Sequence, residues 1–149
     1  MRISGFLLFL LVAACVRSPD AAGDTAAATD STAGPQSAST PWDAARTRGV
    51  DFRAIGQEPG WMLEIDEGKS MYLLADYGEK KVTTPASAPR DSAGVTIYEA
   101  RAGGNRLTVH VRATACADVM SGESMTHTVT VDLNGVPYNG CGRDLRPSR

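Results

Sequence analysis

The segment Thr126-His127-Thr128-Val129-Thr130-Val131-Asp132-Leu133-Asn134-Gly135-Val136-Pro137-Tyr138-Asn139 decides the fold. Its apolar residues recur at every second position. Val129, Val131 and Leu133 fall on one face, and Thr128, Thr130 and Asp132 fall on the other. That alternation marks a half-buried strand. Asn134-Gly135 supplies the two positive φ angles that a type I′ hairpin turn needs. Val136 to Asn139 therefore returns antiparallel.

The same pattern recurs upstream. Leu107, Val109 and Val111 alternate with Thr108, His110 and Arg112 behind the turn Gly103-Gly104-Asn105. Gly94 to Ala100 sets Val95, Ile97 and Glu99 against Thr96 and Tyr98. Pro85 to Ser92 reads as a polar loop, preceded by a weaker strand from Lys80 to Thr84 and a strand from Met71 to Ala75. Trp61, Leu63 and Ile65 oppose Glu64 and Asp66, and Glu67-Gly68 closes that strand with a turn. Seven or eight short strands in about 95 residues, with no convincing helix, predict an all-β domain. A small antiparallel barrel or sandwich fits this spacing, and a barrel is favoured because closure removes exposed edges.

The N-terminus carries a different signal. Met1-Arg2 is a short positive region, and Phe6 to Val12 is an apolar run too short to span a bilayer comfortably. Val12-Ala13-Ala14-Cys15 follows, and it resembles the bacterial lipobox. The resemblance implies a signal peptide over 1–14, cleavage before Cys15, a diacylglyceryl thioether on that cysteine and acylation of its amine. Several acyl chains anchor stably where one does not. Val16 stands where an Asp would resemble an inner-membrane retention signal, so the outer membrane, facing the periplasm, is expected. An ordinary cleaved signal is the alternative.

Residues 16–41 are almost entirely Ala, Ser, Thr, Asp, Gly and Pro. Such a composition buries too little to offset its ordering entropy, so residues 15–50 are expected to be the lipidated cysteine and a disordered linker. Trp42 to Val50 is a transition zone with one helical turn at Pro41, and the folded domain is expected over 51–149. Beyond residue 50 there are eleven Lys and Arg against thirteen Asp and Glu. A chain of this balance offers no basic face to nucleic acid.

Three cysteines occur, at positions 15, 116 and 141. With Cys15 lipidated, Cys116 and Cys141 are an even pair in an oxidising compartment, which favours a disulfide. Two free or metal-binding thiols are the alternative.

The stretches around this pair resemble a family. Gly56-Gln57-Glu58-Pro59-Gly60-Trp61 is similar to the G-x-E-P-x-W opening of a group of bacterial lipoproteins and envelope proteins of unknown function. Cys116-Ala117-Asp118-Val119-Met120-Ser121 and Gly140-Cys141 are similar to that group's C-x-D-x-M-S and G-C segments. Some members accompany domains related to the heat-shock lipoprotein HslJ. The resemblance covers most of residues 52–145 and implies an envelope location and this architecture, with no activity attached.

Glu58, Trp61, Asp118, Met120 and Ser121 are the candidate pocket. A structural account competes with it. Pro59-Gly60 suits a type II turn whose amides Glu58 accepts, Trp61 plugs one barrel end, and Asp118 caps the 116–124 loop. Met120, Met125, His127, Met71 and His110 have copper-ligand chemistry. Their spacing matches no Met-rich motif, and Met120 is expected to pack under the disulfide. No cofactor or metal site is assigned. The standard hydrolase, protease and nucleotide signatures are absent, and nothing activates a particular Ser for a triad with His110 or His127. The expected protein is a non-enzymatic envelope lipoprotein, held to the membrane by its lipid and binding an envelope protein or a small apolar ligand. A lysozyme-inhibitor-like protein is the alternative. Ser92-Ala93-Gly94-Val95-Thr96-Ile97-Tyr98 loosely resembles the S-G-x-x-Y loop of those inhibitors, with a different spacing.

Overall fold

A computed structural model describes residues 40–146. The expectations for the leader, Cys15 and the first part of the linker lie outside the described residues.

The described chain opens with a helix, α1 (Pro41–Thr47). Thr40 caps it: its side chain accepts from the Asp43 N–H, and the Asp43 carboxylate accepts from the Thr40 N–H. Pro41 at the first helical position loses no hydrogen bond there. Ala45 and Val50 pack against Leu145, with Trp42 beside them. The helical turn expected at Pro41 is a seven-residue helix. A capping box and three small buried contacts recruit 41–50 to the fold.

Eleven strands follow: β1 (Phe52–Gln57), β2 (Gly60–Asp66), β3 (Ser70–Ala75), β4 (Lys80–Pro85), β5 (Arg90–Ser92), β6 (Val95–Ala102), β7 (Asn105–Arg112), β8 (Cys116–Ala117), β9 (Ser124–Met125), β10 (His127–Leu133) and β11 (Val136–Asp144). Nine of them form one antiparallel sheet, in the order β4-β3-β2-β1-β11-β10-β7-β6-β5, curled into a half-barrel. β8 and β9 form a separate small hairpin. The all-β antiparallel fold is therefore as expected. β5 lies inside what read as a polar loop. The edge strand β4 approaches the part of β6 past Ile97, which β5 does not cover, and there the Glu99 N–H of β6 donates to Ser87 Oγ in the β4–β5 loop.

Alternation fills the inside of the curl. Leu63, Ile65, Met71, Leu73, Leu107, Val109, Val129, Val131 and Tyr138 are almost fully buried. Asn134 and Gly135 both have positive φ, as the type I′ turn requires. In β6 the inward face carries Tyr98 and Ala100, paired with Val109 and Leu107. Val95, Ile97 and Glu99 face outward. Two tyrosines close the interior with charged partners. Tyr138 donates to Asp76 Oδ1 at 3.1 Å, and Tyr98 donates to Glu67 Oε1 at 3.1 Å. Burial, and then the Glu67 carboxylate, push the Tyr98 hydroxyl far above its ordinary value.

Trp61 sits in a slot made by glycines. A side chain at Gly56 would overlap the indole Nε1, and one at Gly140 would collide with the Ile55 carbonyl and with Trp61 Cζ2. The indole N–H donates to the Asn139 carbonyl at 3.1 Å, which satisfies the ring's one polar atom. Gly140→Ala is expected to destabilise the domain by about 1–3 kcal/mol or more, since backbone blocks the added methyl. Urea denaturation measures this, and an unchanged midpoint would contradict the slot.

Candidate functional site

The outer face of β1 carries Arg53, Ile55 and Gln57, which alternate with the inward residues Phe52, Ala54 and Gly56. Two walls rise beside this row. One is the start of α1, with Pro41 and Trp42. The other is the loop between β8 and β9, with Asp118, Met120, Ser121 and Glu123. Together they enclose a groove of about 470 Å³.

The loop wall is fixed in two ways. Cys116 and Cys141 are joined in a disulfide, with Cα atoms 5.6 Å apart. Cys141 lies mid-strand in β11 on the outer face, so the bridge ties the small hairpin to the sheet. Asp118 supplies the second fixture. It is 5% exposed. Its Oδ2 accepts from both the backbone N–H and the hydroxyl of Ser121, each at 2.8 Å, and its Oδ1 accepts from Gln57 Nε2 at 2.9 Å. The Ser121 amide, with Gln57 and the Ser121 hydroxyl adding, holds the carboxyl below its ordinary range against the opposing effect of burial. Asp118 thus caps the loop, as one of the two sequence readings had it.

The helix wall is fixed by charge. Arg143 lies over the Trp42 ring at 4.2 Å, and Arg53 lies at 5.5 Å. The Trp42 indole donates to Glu123 Oε2 at 3.2 Å, Glu123 also pairs with Arg143, and Glu64 pairs with Arg53. Trp42, Arg53, Gln57 and Glu123 were not among the sequence candidates. Long-range packing brings them together, and no local pattern signals it.

Of the five candidate residues, Asp118, Met120 and Ser121 meet in this groove, while Trp61 and Glu58 do not join them. Trp61 is in the core. Glu58 is exposed at the β1–β2 turn, where the Tyr77 hydroxyl donates to Glu58 Oε2 at 3.3 Å. The Glu58–Pro59 peptide is cis and Gly60 lacks a positive φ, so the expected type II turn is replaced by a cis-proline turn. Gly60 instead makes room for the Tyr77 ring, 2.7 Å from where its Cβ would stand. Met120 is 75% exposed and Val119 84% exposed, which corrects the placement of Met120 under the disulfide. Met125, paired with Cys116, takes that buried place.

The copper candidates do not converge. Met71 is in the core, His110 is on the outer face of β7, and His127 packs edge-on against Phe52 at 5.5 Å. Among the described residues no group of three or more His, Cys, Asp or Glu could hold a metal. Tyr98, the tyrosine of the loose inhibitor-loop resemblance, is 5% exposed inside the sheet. A second concavity, about 650 Å³, lies on the outer face of β6, β7 and β10. No family model matches the chain, and no curated protein or solved structure does.

Two outcomes follow from the loop's fixtures. Asp118→Asn is expected to lose about 1.5–3 kcal/mol at neutral pH, because an amide cannot accept as the charged carboxylate does. The Asp118 pKa is depressed on folding. Its stabilisation is therefore full above about pH 4 and disappears as pH falls through the folded value. The gap between wild type and variant in urea melts should close in acid, and a pH-independent gap would count against the charge. Cys116→Ser with Cys141→Ser should cost roughly 3.5 kcal/mol by loop closure. If the thiols of the folded protein alkylate freely, the bridge is absent.

Proposed function

We propose that this chain is a cell-envelope lipoprotein, lipidated at Cys15, and that its β-domain is a non-enzymatic module that binds an apolar segment of another envelope protein. The leader and the Val12-Ala13-Ala14-Cys15 site support the anchor and the outer-membrane location. The disulfide supports an oxidising compartment. The similarity of Gly56 to Trp61 and of Cys116 to Ser121 to bacterial envelope proteins points the same way.

The groove carries the binding half of the proposal. Pro41, Trp42, Ile55 and Met120 give it apolar walls, and Met120 and its chain neighbour Val119 are exposed. Its acidic groups are already occupied: Asp118 by Gln57 and Ser121, and Glu123 by Trp42 and Arg143. What remains open is apolar surface on a stiff frame, which is the anatomy of a small binding hot spot.

Mass spectrometry of the mature protein should find diacylglycerol and an acylated amine on Cys15. An unmodified chain beginning elsewhere would end the anchor. For the groove, a photo-crosslinking amino acid at position 120 should give one discrete adduct with an envelope protein in cells. Met120→Asp leaves stability within about 0.5 kcal/mol, since the side chain is at the surface. Placed beside a crosslinker at position 119, it should abolish that adduct. Adducts with lipid or small molecules only, or an adduct indifferent to Met120→Asp, would overturn the protein-binding assignment.

A further inference from the structure

The sheet register sorts the outer face of β6, β7 and β10 into rows. Arg101 stands directly opposite Arg106. In the next row, Glu99, Thr108 and Asp132 run side by side across the three strands. Ile97, His110 and Thr130 form the row after that. Arg101, Arg106, Glu99, Thr108, Asp132 and His110 of these rows line the concavity of about 650 Å³.

Two like charges directly opposite each other on one face destabilise a sheet. The same arrangement occurs once more, where Arg53 faces Arg143 across β1 and β11. There the repulsion is answered: Glu64 pairs with Arg53, Glu123 pairs with Arg143, and the Trp42 ring lies against both. Arg101 and Arg106 have no such answer. Among the described residues neither forms an ion pair or a side-chain hydrogen bond. Each carboxylate of the next row holds a partner other than these two arginines. Glu99 pairs with Arg90 at 3.1 Å, and Asp132 Oδ1 accepts from the Gly135 N–H at 2.8 Å. The backbone beneath is rigid. The Asn134 side chain accepts from the Arg106 N–H at 2.8 Å and donates to Asn105 at 2.8 Å, so the two hairpin tips are tied together.

We propose that the Arg101–Arg106 pair is a binding site for a phosphate ester of a polyol, such as a sugar phosphate. Two guanidinium forks from adjacent strands match the several oxygens of a phosphate dianion and are neutralised by it. The adjoining row fits the other end of such a ligand. Thr108 has a hydroxyl, and Asp132 and Glu99 keep carboxylate lone pairs free to accept from sugar hydroxyls. A concavity of this volume holds a sugar phosphate comfortably. The site is separate from the groove beside α1 and does not depend on what occupies that groove.

Calorimetric titration of the full chain in detergent micelles tests the assignment with three probes: glucose 6-phosphate, inorganic phosphate and glucose. Glucose 6-phosphate is expected to bind at millimolar concentration or below, more tightly than phosphate, with no heat from glucose. Arg101→Ala with Arg106→Ala should weaken binding at least about tenfold. Arg106→Glu turns the repelling pair into an attracting one, so it should raise the melting temperature while abolishing binding. That combination separates a ligand site from a merely structural pair. Equal affinity for phosphate and the ester would overturn the polyol half. No binding of the ester, or binding that survives both variants, would overturn the site.

Discussion

The ladder between β1 and β11 is the constraint on which the rest depends. β1 to β4 pair in chain order, and β5 to β7, β10 and β11 pair among themselves, and among the described residues the one strand pairing between the two halves is Phe52 to Ile55 against Cys141 to Asp144. This pairing closes the whole domain from its two ends. Ala54 and Gly142 on this ladder, with Gly56 and Gly140 just beyond its end, face inward with almost no bulk of their own. Phe52 and Trp61 fill that space, with a Cβ at Gly142 falling 2.8 Å from the Phe52 ring. The small residues at and next to the ladder and the rings of Phe52 and Trp61 are one device: neither packs without the other.

The outer side of the same ladder explains why the groove lies where it does. Alternation turns Arg53, Ile55 and Gln57 outward on one strand, and Cys141 and Arg143 outward on the other. Cys141 holds the β8–β9 hairpin there, and Leu145, just past β11, holds α1 through Ala45 and Val50. Both walls are therefore attached to the strand that closes the domain. Loss of the β1–β11 register would remove the core slot and both walls together.

The sequence makes some of this legible. Strict alternation identified the strands around Leu63, Val109 and Val131, and Asn134-Gly135 identified its hairpin, because each of those signals is local. The inward face of β6 was not legible. Val95 and Ile97 are as apolar as Tyr98 and Ala100, and only the partner residues Val109 and Leu107 decide which set enters the core. β5 is three residues long and wholly exposed, so it leaves no hydrophobic trace. Of the candidate site, Asp118 and Ser121 were legible from turn chemistry. Trp42, Arg53 and Gln57 were not, since their importance comes from contacts with residues as many as 101 positions away in the chain, as for Trp42 and Arg143.

Asp118 shows how a residue type that suggests catalysis resolves once its surroundings are known. A general base works best with a pKa near the working pH. A buried carboxylate without donors would be shifted upward, toward that value. Asp118 is buried but accepts three hydrogen bonds, and its pKa moves down. Those donors make it a poor base at neutral pH and a good brace. What it braces is a loop whose next two residues, Val119 and Met120, point into solvent. Two exposed apolar side chains at the tip of a loop cross-linked and capped at its base gain nothing for the fold of the isolated domain. On the binding role proposed above a partner would cover them, and the rigidity that Asp118 provides would lower the entropy that such a partner must overcome.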